Sequence, residues 1–501
     1  MKSLIKIIAF SITILPIIFF VKFIFLGDIN FWYDSARDLL SAWDNLKKIT
    51  LIGPPTGVSG IFYGPYWIWL LSSGLAISKN PRVVVFLISF IPISIIFPLI
   101  LFKFSSLFKK RVILLTFLFF LHMDGFAYAT TLWNPHIGLV IFLALIYLII
   151  FSDFQTIRGS TAIKIFIAGI ASGLMINFQM SLGICIFFGS FLFLFIYSLK
   201  TLRNRKQKKF LVISNTILIL TLFLSGAALT FAPLFLFEIR HGFNQIHAFI
   251  EAFKSYGGVV NYRILSQKEI LTIFFGRFGY ILHTNWLGAY MSEILSVLFL
   301  FWFVKKKKIN LSELEKKLLF FLFIIILSIL YIYLTARNPV WEYHFLGTEV
   351  IFILLIAFVI NKIPLLENLL IVYILYSSVM LLPILFANKN LYASSSLVTK
   401  EHIVDLIHHD AKDNDYKVNV YSPSIYVYDY TYLFKWRHSK EVPFDPNMDR
   451  EEKDLVYLII PKIKASEKED FISYRTPSEV YYTVRRWSIP DGTEIIKRIK
   501  K

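Results

Sequence analysis

FWYDSARDLLSAWDNLKKITLIGPPTGVSGIFYGPYWIWLL, residues 31–71, is the stretch whose reading decides the fold. If the apolar tail 66–78 crossed a membrane, every later span would reverse. The basic clusters at 200–210 and 305–308 would then face outward. Dense Lys and Arg runs in short loops are held on the cytoplasmic side, so 64–78, with Tyr66, Trp67 and Trp69, is expected as an interfacial helix in the headgroup zone.

With that segment kept out of the bilayer, apolar runs long enough to span fall near 7–27, 83–102, 112–131, 136–152, 161–178, 180–199, 211–236, 287–304, 318–336, 344–360 and 365–387. About eleven transmembrane helices are expected, with the N-terminus cytoplasmic. The connections at 103–111, 153–160, 200–210, 305–317 and 361–364 then carry nearly every basic run inside. Lys2 and Lys6 ahead of an apolar run could pass for a signal peptide, but no small-x-small cleavage site follows, which favours a retained first span. Composition agrees: of 501 residues 56% are hydrophobic and 17% charged, so the bilayer must be the solvent for most of the chain. The net charge of +19 lies in short runs between apolar segments, a pattern matched to anionic membrane lipids and not to nucleic acid. The lone Cys185 excludes a disulfide within the chain.

An odd number of spans leaves 388–501 outside the cytoplasm. Helix-like spacing at 398–409 and period-two stretches at 417–422, 454–460 and 479–487 predict a small C-terminal α/β extracytoplasmic domain. The expected organisation is therefore an all-α polytopic membrane domain, 1–387, with a long first outer loop, 28–82, followed by the α/β domain 388–501. Gly169 and Gly173 read as a small-x-x-x-small packing pair.

Chemistry gathers on the outer face. Asp34, Arg37, Asp38 and Ser41 fall at i, i+3, i+4 and i+7, which places two carboxylates and a guanidinium on one face of a helix. Ala36, Leu39, Leu40 and Trp43 take the other face. Taken alone this is also the pattern of an amphipathic surface helix with an exposed ion pair. GPPTGVSG folds the chain back toward YGPYW. Asp124, His136 in LWNPH, Glu238, Arg240 and His241 in FEIRHGF, and Arg337, Glu342 and His344 in RNPVWEYH stand at the outer ends of distant spans. Each alone is commonly a helix-end anchor. Together they suit a shared polar cavity. A carboxylate can take a proton from an acceptor hydroxyl while cations neutralise a departing phosphate, which is glycosyl transfer from a lipid phosphate.

At these residues the sequence resembles the GT-C superfamily of polytopic glycosyltransferases, in the branch holding lipid A aminoarabinose transferases and protein O-mannosyltransferases. Asp34 with Arg37 matches that branch's acidic first-loop helix, and Gly64-Pro65-Tyr66-Trp67 its second interfacial helix. The plan covers residues 1 to about 390, and its wording is closer still to bacterial glycosyltransferase family 39-like members. The resemblance implies a polyprenyl-phosphate-linked sugar as donor, an outward-facing site in the bacterial plasma membrane, and Asp34 as base with Asp38 in reserve. Arg37, Tyr63, Asp124, His136, Glu238, Arg240, His241, Arg337 and His344 are expected to bind substrate. The acceptor is left open between glycan, lipid and protein. Ser35 and Tyr63 stand where relatives carry further acids, so no metal-ligand set is identified and a divalent-metal requirement finds no support. His402, His408 and His409 have no recognised ligand spacing.

A nucleotide-sugar enzyme is disfavoured because no glycine-rich phosphate loop is present. The rival is a polysaccharide polymerase, flippase or transporter of lipid-linked sugars. Transporters commonly show internal repeats and midplane charges, whereas here the polar residues cluster outside.

Overall fold

The computed structural model describes residues 2–154, 157, 159–203, 209–254, 265–280, 311–335, 340–387, 393–422, 426–443 and 452–501. The expected span 287–304 lies outside these residues, as does Arg337. Among the described residues, six helices are long and apolar enough to cross a membrane: Pro81–Ser106, Gly159–Phe178, Met180–Lys200, Val212–Leu229, Glu313–Thr335 and Leu365–Phe386. Shorter apolar helices occur at Ile14–Leu26, Tyr66–Ile77 and Asn134–Ile150.

Two expected spans are less regular than their hydropathy suggests. The run 211–236 is broken at Thr230 and Phe231 into Lys209–Leu229 and Ala232–Arg240, where Pro233 at the start of the second piece has no N–H to continue the ladder. The run 112–131 carries a π-helical turn, Leu121–Gly125, that holds His122 and Asp124. Gly169 and Gly173 do mark a close crossing, because a Cβ at Gly169 would lie 2.1 Å from the Phe223 carbonyl oxygen and one at Gly173 2.8 Å from that of Ala227. Only residues without a side chain let Gly159–Phe178 and Lys209–Leu229 approach so far.

The C-terminal segment forms a four-stranded sheet, β1 (Lys417–Val420), β2 (Leu455–Ile460), β3 (Tyr481–Ser488) and β4 (Glu494–Lys500), in the order β1-β2-β4-β3. β1 and β2 are parallel, while β4 runs antiparallel to β2 and β3. All six residues of β2 are buried, as expected of a central strand covered on both faces. The helices Leu397–Ala411 and Tyr428–His438 pack on the sheet and join their buried residues to the membrane helices in one apolar core.

That continuity positions the site. The backbone amides of Leu397 and Val398 donate to the carbonyls of Ile29 and Gly27, and that of Phe31 donates to the Ser395 carbonyl. Arg82 forms a bidentate pair with the buried Glu401, and Lys400 bridges Asp429 and the Phe31 carbonyl. The C-terminal sheet and the loop 28–82 thus share one end of the molecule.

Candidate functional site

The first helix, α1 (Lys2–Leu26), ends at Gly27, and an extended stretch delivers the chain to α2 (Tyr33–Asn45). Asp34 in the first turn of α2 is favoured there by the free N–H groups of the helix start. α3 (Tyr66–Ile77) crosses α2 at small residues: Ser72 Oγ donates to the Ala42 carbonyl at 3.0 Å and accepts from Asn45 Nδ2 at 2.8 Å. This crossing buries Trp67, Ile68, Leu71 and Leu75, so α3 is a packed helix on its inner face and not only a headgroup anchor.

The crossing also moves Asp38 off the exposed face where its spacing placed it. Asp38 is 1% exposed, beside Ala42 and under Trp67. Its Oδ1 accepts from Arg37 Nε and pairs with Arg37 Nη2, each at 2.8 Å, and its Oδ2 accepts from Trp67 Nε1 at 2.8 Å. Arg37 Nη1 reaches Asp34 Oδ1 at 2.8 Å, and its guanidinium lies 5.6 Å from the Tyr33 ring. The Asp34 side chain keeps 25% of its surface exposed. One arginine therefore ties a buried carboxylate to an accessible one.

Burial pushes the Asp38 carboxyl up to about 6, against the opposing pull of Arg37 and Trp67. Asp34 is also raised, because its desolvation outweighs the attraction of Arg37. Burial thus outweighs Arg37 at both carboxylates, and the accessible one is more basic than an ordinary surface Asp.

Tyr63 is set by a short hairpin, in which Gly53 N–H donates to the Tyr63 carbonyl at 2.8 Å and Tyr63 N–H to the Pro54 carbonyl at 3.0 Å. Gly64 then passes so close to Asn177 that a Cβ would fall 1.7 Å from Oδ1. The Tyr63 phenol is pushed up by burial first and then by Tyr343, with Arg37, Asp34 and Asp38 also acting on it.

Other expected site residues divide. His136 is buried at the start of Asn134–Ile150, with Nδ1 3.2 Å from the Thr131 carbonyl oxygen and its ring against Tyr128 and Trp133. Trp133 in turn contacts Trp32 and Tyr343. His344 lies beside Tyr343, and its Nδ1 accepts from the Trp341 N–H at 3.2 Å. This aromatic chain links His136 and His344 to the start of α2. Glu238 Oε2 accepts from the amides of Gln245 and Ile246 and caps Asn244–Lys254, whose Gln245 Oε1 in turn accepts from the Phe62 N–H at 2.8 Å. Arg240 and His241 are exposed, with the His241 ring stacked on Phe237, and no contact among the described residues joins them to Asp34. Asp124 sits in its π turn next to His122, whose Nε2 is 3.2 Å from Ser378 Oγ on Pro364–Phe386. Among the described residues no group of three or more His, Cys, Asp and Glu side chains is arranged to hold a metal ion.

Sequence reasoning missed two groups. Trp67 is the second holder of Asp38, and the only signal was its place in the GPYW motif. Gln179 Nε2 donates to the Tyr343 and His344 carbonyls at 2.9 and 3.2 Å and fixes that segment, which nothing in its apolar surroundings announces.

The fold that carries this site, a polytopic helical bundle with a C-terminal sheet docked on the helices that hold Asp34, Arg37 and Trp67, is similar to that of solved membrane proteins. ArnT from Cupriavidus metallidurans, in a crystal structure bound to undecaprenyl phosphate, matches over 99% of this chain and 98% of its own, with a TM-score of 0.56 and 11% sequence identity. The apo structure of the same ArnT matches over the same shares with a TM-score of 0.44 and 12% identity. The Archaeoglobus fulgidus oligosaccharyltransferase, in complex with zinc and sulfate, gives 0.43 over 93% of this chain and 69% of its own, at 12% identity. No protein-family model matches the sequence, and no curated protein matches it.

Proposed function

We propose that this chain is a glycosyltransferase that moves a sugar from a polyprenyl-phosphate donor to an acceptor at the outer face of a bacterial plasma membrane. The observation that carries the reading is the likeness of fold, over nearly the whole length of both chains, to an ArnT bound to undecaprenyl phosphate. In this reading residues 1–387 form the membrane enzyme, 388–501 the outer domain docked on it, and the N-terminus is cytoplasmic.

Asp34 is the base. It is the accessible member of the pair, and its raised pKa makes it a better proton acceptor than an ordinary surface carboxylate. The acceptor hydroxyl oxygen attacks the anomeric carbon, the bond from that carbon to the phosphate oxygen breaks, and the hydroxyl proton passes to Asp34. Polyprenyl phosphate leaves as the anion. Asp38 acts through Arg37: fixed by Trp67, it holds the guanidinium in one place and so holds Asp34. Tyr63, His136 and His344 are assigned to the substrate, and Arg240 and Arg337 to the donor phosphate. Purified protein offered undecaprenyl-phosphate sugars with an envelope-glycan extract tests the reading. Release of undecaprenyl phosphate with a matching gain of mass in the acceptor is expected. Loss of no donor across the panel would refute it.

A further inference from the structure

At the far end of the bundle from His136 and His344, two lysines close the last turn of Asn134–Ile150. Lys317 Nζ donates to the carbonyls of Ile150 at 2.8 Å and Ser152 at 2.7 Å, and Lys164 Nζ donates to the carbonyl between them, that of Phe151, at 3.0 Å. Lys317 stands near the start of Glu313–Thr335, about 24 Å of helix before Tyr333, whose hydroxyl donates to the His344 carbonyl. His136 occupies the opposite end of Asn134–Ile150. Beside Lys317 opens a cavity of about 270 Å³, bordered by Phe151, Asp153, Phe154, Tyr197 and Glu313.

Lys317 is 5% exposed, so its ammonium is withdrawn from bulk water. Closing the helix uses two of its three N–H groups and answers the partial charge of a helix end, which is less than a full positive charge. The rings of Phe154 and Tyr197, with centroids 4.2 and 5.5 Å from Nζ, attract the cation but bring no counter-charge. Among the described residues no carboxylate lies within ion-pair distance of Lys317 or Lys164. Asp153, exposed where it borders the cavity, attracts Lys317 from farther off. Glu313 is held by Lys316 at 2.6 Å, with most of its side chain exposed. With that last pair neutral, two ammonium charges face one carboxylate, and a positive charge is left over beside the cavity. Buried charges are ordinarily matched.

We propose that this cavity is a second binding site, separate from that of Asp34, for a phosphodiester group with Lys317 as its cation. A phosphodiester carries the single negative charge that the surroundings lack, and its oxygens accept the third N–H of Lys317. The volume lies just below the roughly 300–1,000 Å³ of drug-sized sites, which suits a phosphate with glycerol-sized substituents and not a nucleotide sugar. Phe151, Phe154 and Tyr197 give the carbons beside the phosphate an apolar wall. Basic pockets between membrane helices on the cytoplasmic side receive lipid headgroups. With Asp34 outside, as proposed above, this end meets the inner leaflet, and a soluble phosphodiester in the cytoplasm would offer the same chemistry. Only the choice of leaflet rests on the transferase reading; the site itself does not.

The test is calorimetric titration of the full-length protein in detergent with three probes: dihexanoyl phosphatidylglycerol, dihexanoylglycerol with the same chains and no phosphate, and glycerophosphoglycerol with the same headgroup and no chains. Wild type should bind at least one phosphodiester and prefer the phospholipid to dihexanoylglycerol. Lys317→Met removes the charge at similar length and should weaken phosphodiester binding by about ten-fold, the usual worth of a hydrogen bond to a charged group. Lys317→Arg should retain most of it. Leu314→Trp fills the cavity from its border, leaves both carbonyl bonds of Lys317 in place, and should abolish binding; it decides the matter if Lys317→Met does not fold. Equal affinity for the two phosphodiesters would support a soluble ligand, and tighter binding of the phospholipid a headgroup of the leaflet. Neither phosphodiester bound by wild type, phospholipid bound no better than dihexanoylglycerol with glycerophosphoglycerol unbound, or unchanged binding in Leu314→Trp would each overturn the site. Because binding is read without sugar transfer, a protein that consumes no undecaprenyl-phosphate sugar could lose the transferase reading and keep this site.

Discussion

At Asp38 two effects of one burial run in opposite directions with pH. A carboxyl raised from its ordinary value of 3.8 to about 6 binds a proton more readily folded than unfolded. The fold therefore gains stability as pH falls from about 6 toward 4, the window between the two values, and loses it as pH rises through the same window. Activity should do the reverse, because a protonated Asp38 releases Arg37 and lets Asp34 wander. Transfer is expected to drop below about pH 6, while the apparent unfolding temperature rises there. Asp38→Asn should flatten the stability profile, followed by tryptophan fluorescence, and should leave in the transfer profile, followed by donor release, only the acid fall set by protonation of Asp34 itself. Parallel movement of the two profiles in wild type would contradict the positioning role. The sequence placed Asp34, Arg37 and Asp38 on one helix face correctly. It could not show that Asp38 is buried, because spacing defines a face and only the crossing of α3 decides how far that face is covered.

At the scale of elements, the hairpin between α2 and α3 seats Tyr63 by squeezing Gly64 against Asn177. GPPTGVSG was legible as a reversal from its Gly and Pro content, but the partner was not, since Asn177 lies more than a hundred residues on in an apolar helix. Gly64→Ala would place a methyl group where Asn177 Oδ1 stands, 1.7 Å from the ideal Cβ position. Overpacking of this kind costs about 1–3 kcal/mol. The variant should lower both unfolding temperature and transfer rate, and Gly64→Ala with Asn177→Ala should recover part of each. Additive losses in the double variant would show that the two residues do not meet. The strands tell a similar story of partial legibility. Period-two patterns disclosed β1, β2 and β3, whereas EIIKRIK of β4 alternates poorly, because it is a central strand whose neighbours on both sides were unknown.

Over the whole molecule, hydropathy disclosed the membrane helices and period-two stretches the C-terminal sheet, with a boundary expected at about 388. Across that boundary the two parts share one apolar core and the pair of Arg82 and Glu401, a contact between residues 319 apart that no local pattern encodes. Removing one member of a buried pair strands the other, at about 3–5 kcal/mol. Arg82→Ala is therefore expected to speed hydrogen exchange in Leu397–Ala411 and Tyr428–His438 and to leave Asn134–Ile150 unchanged; uniform exchange in all three would argue against a docked domain. The account as a whole depends on Asp34 taking the acceptor proton beside a lipid-linked donor, and the direct measurement is transfer by purified wild type, Asp34→Asn and Asp38→Asn from undecaprenyl-phosphate sugar to an acceptor drawn from the envelope extract. Asn keeps the shape and hydrogen bonding but not the proton affinity, so Asp34→Asn should fall by about 10² to 10⁴ with donor binding intact, and Asp38→Asn by less. Wild-type rates in Asp34→Asn would contradict it.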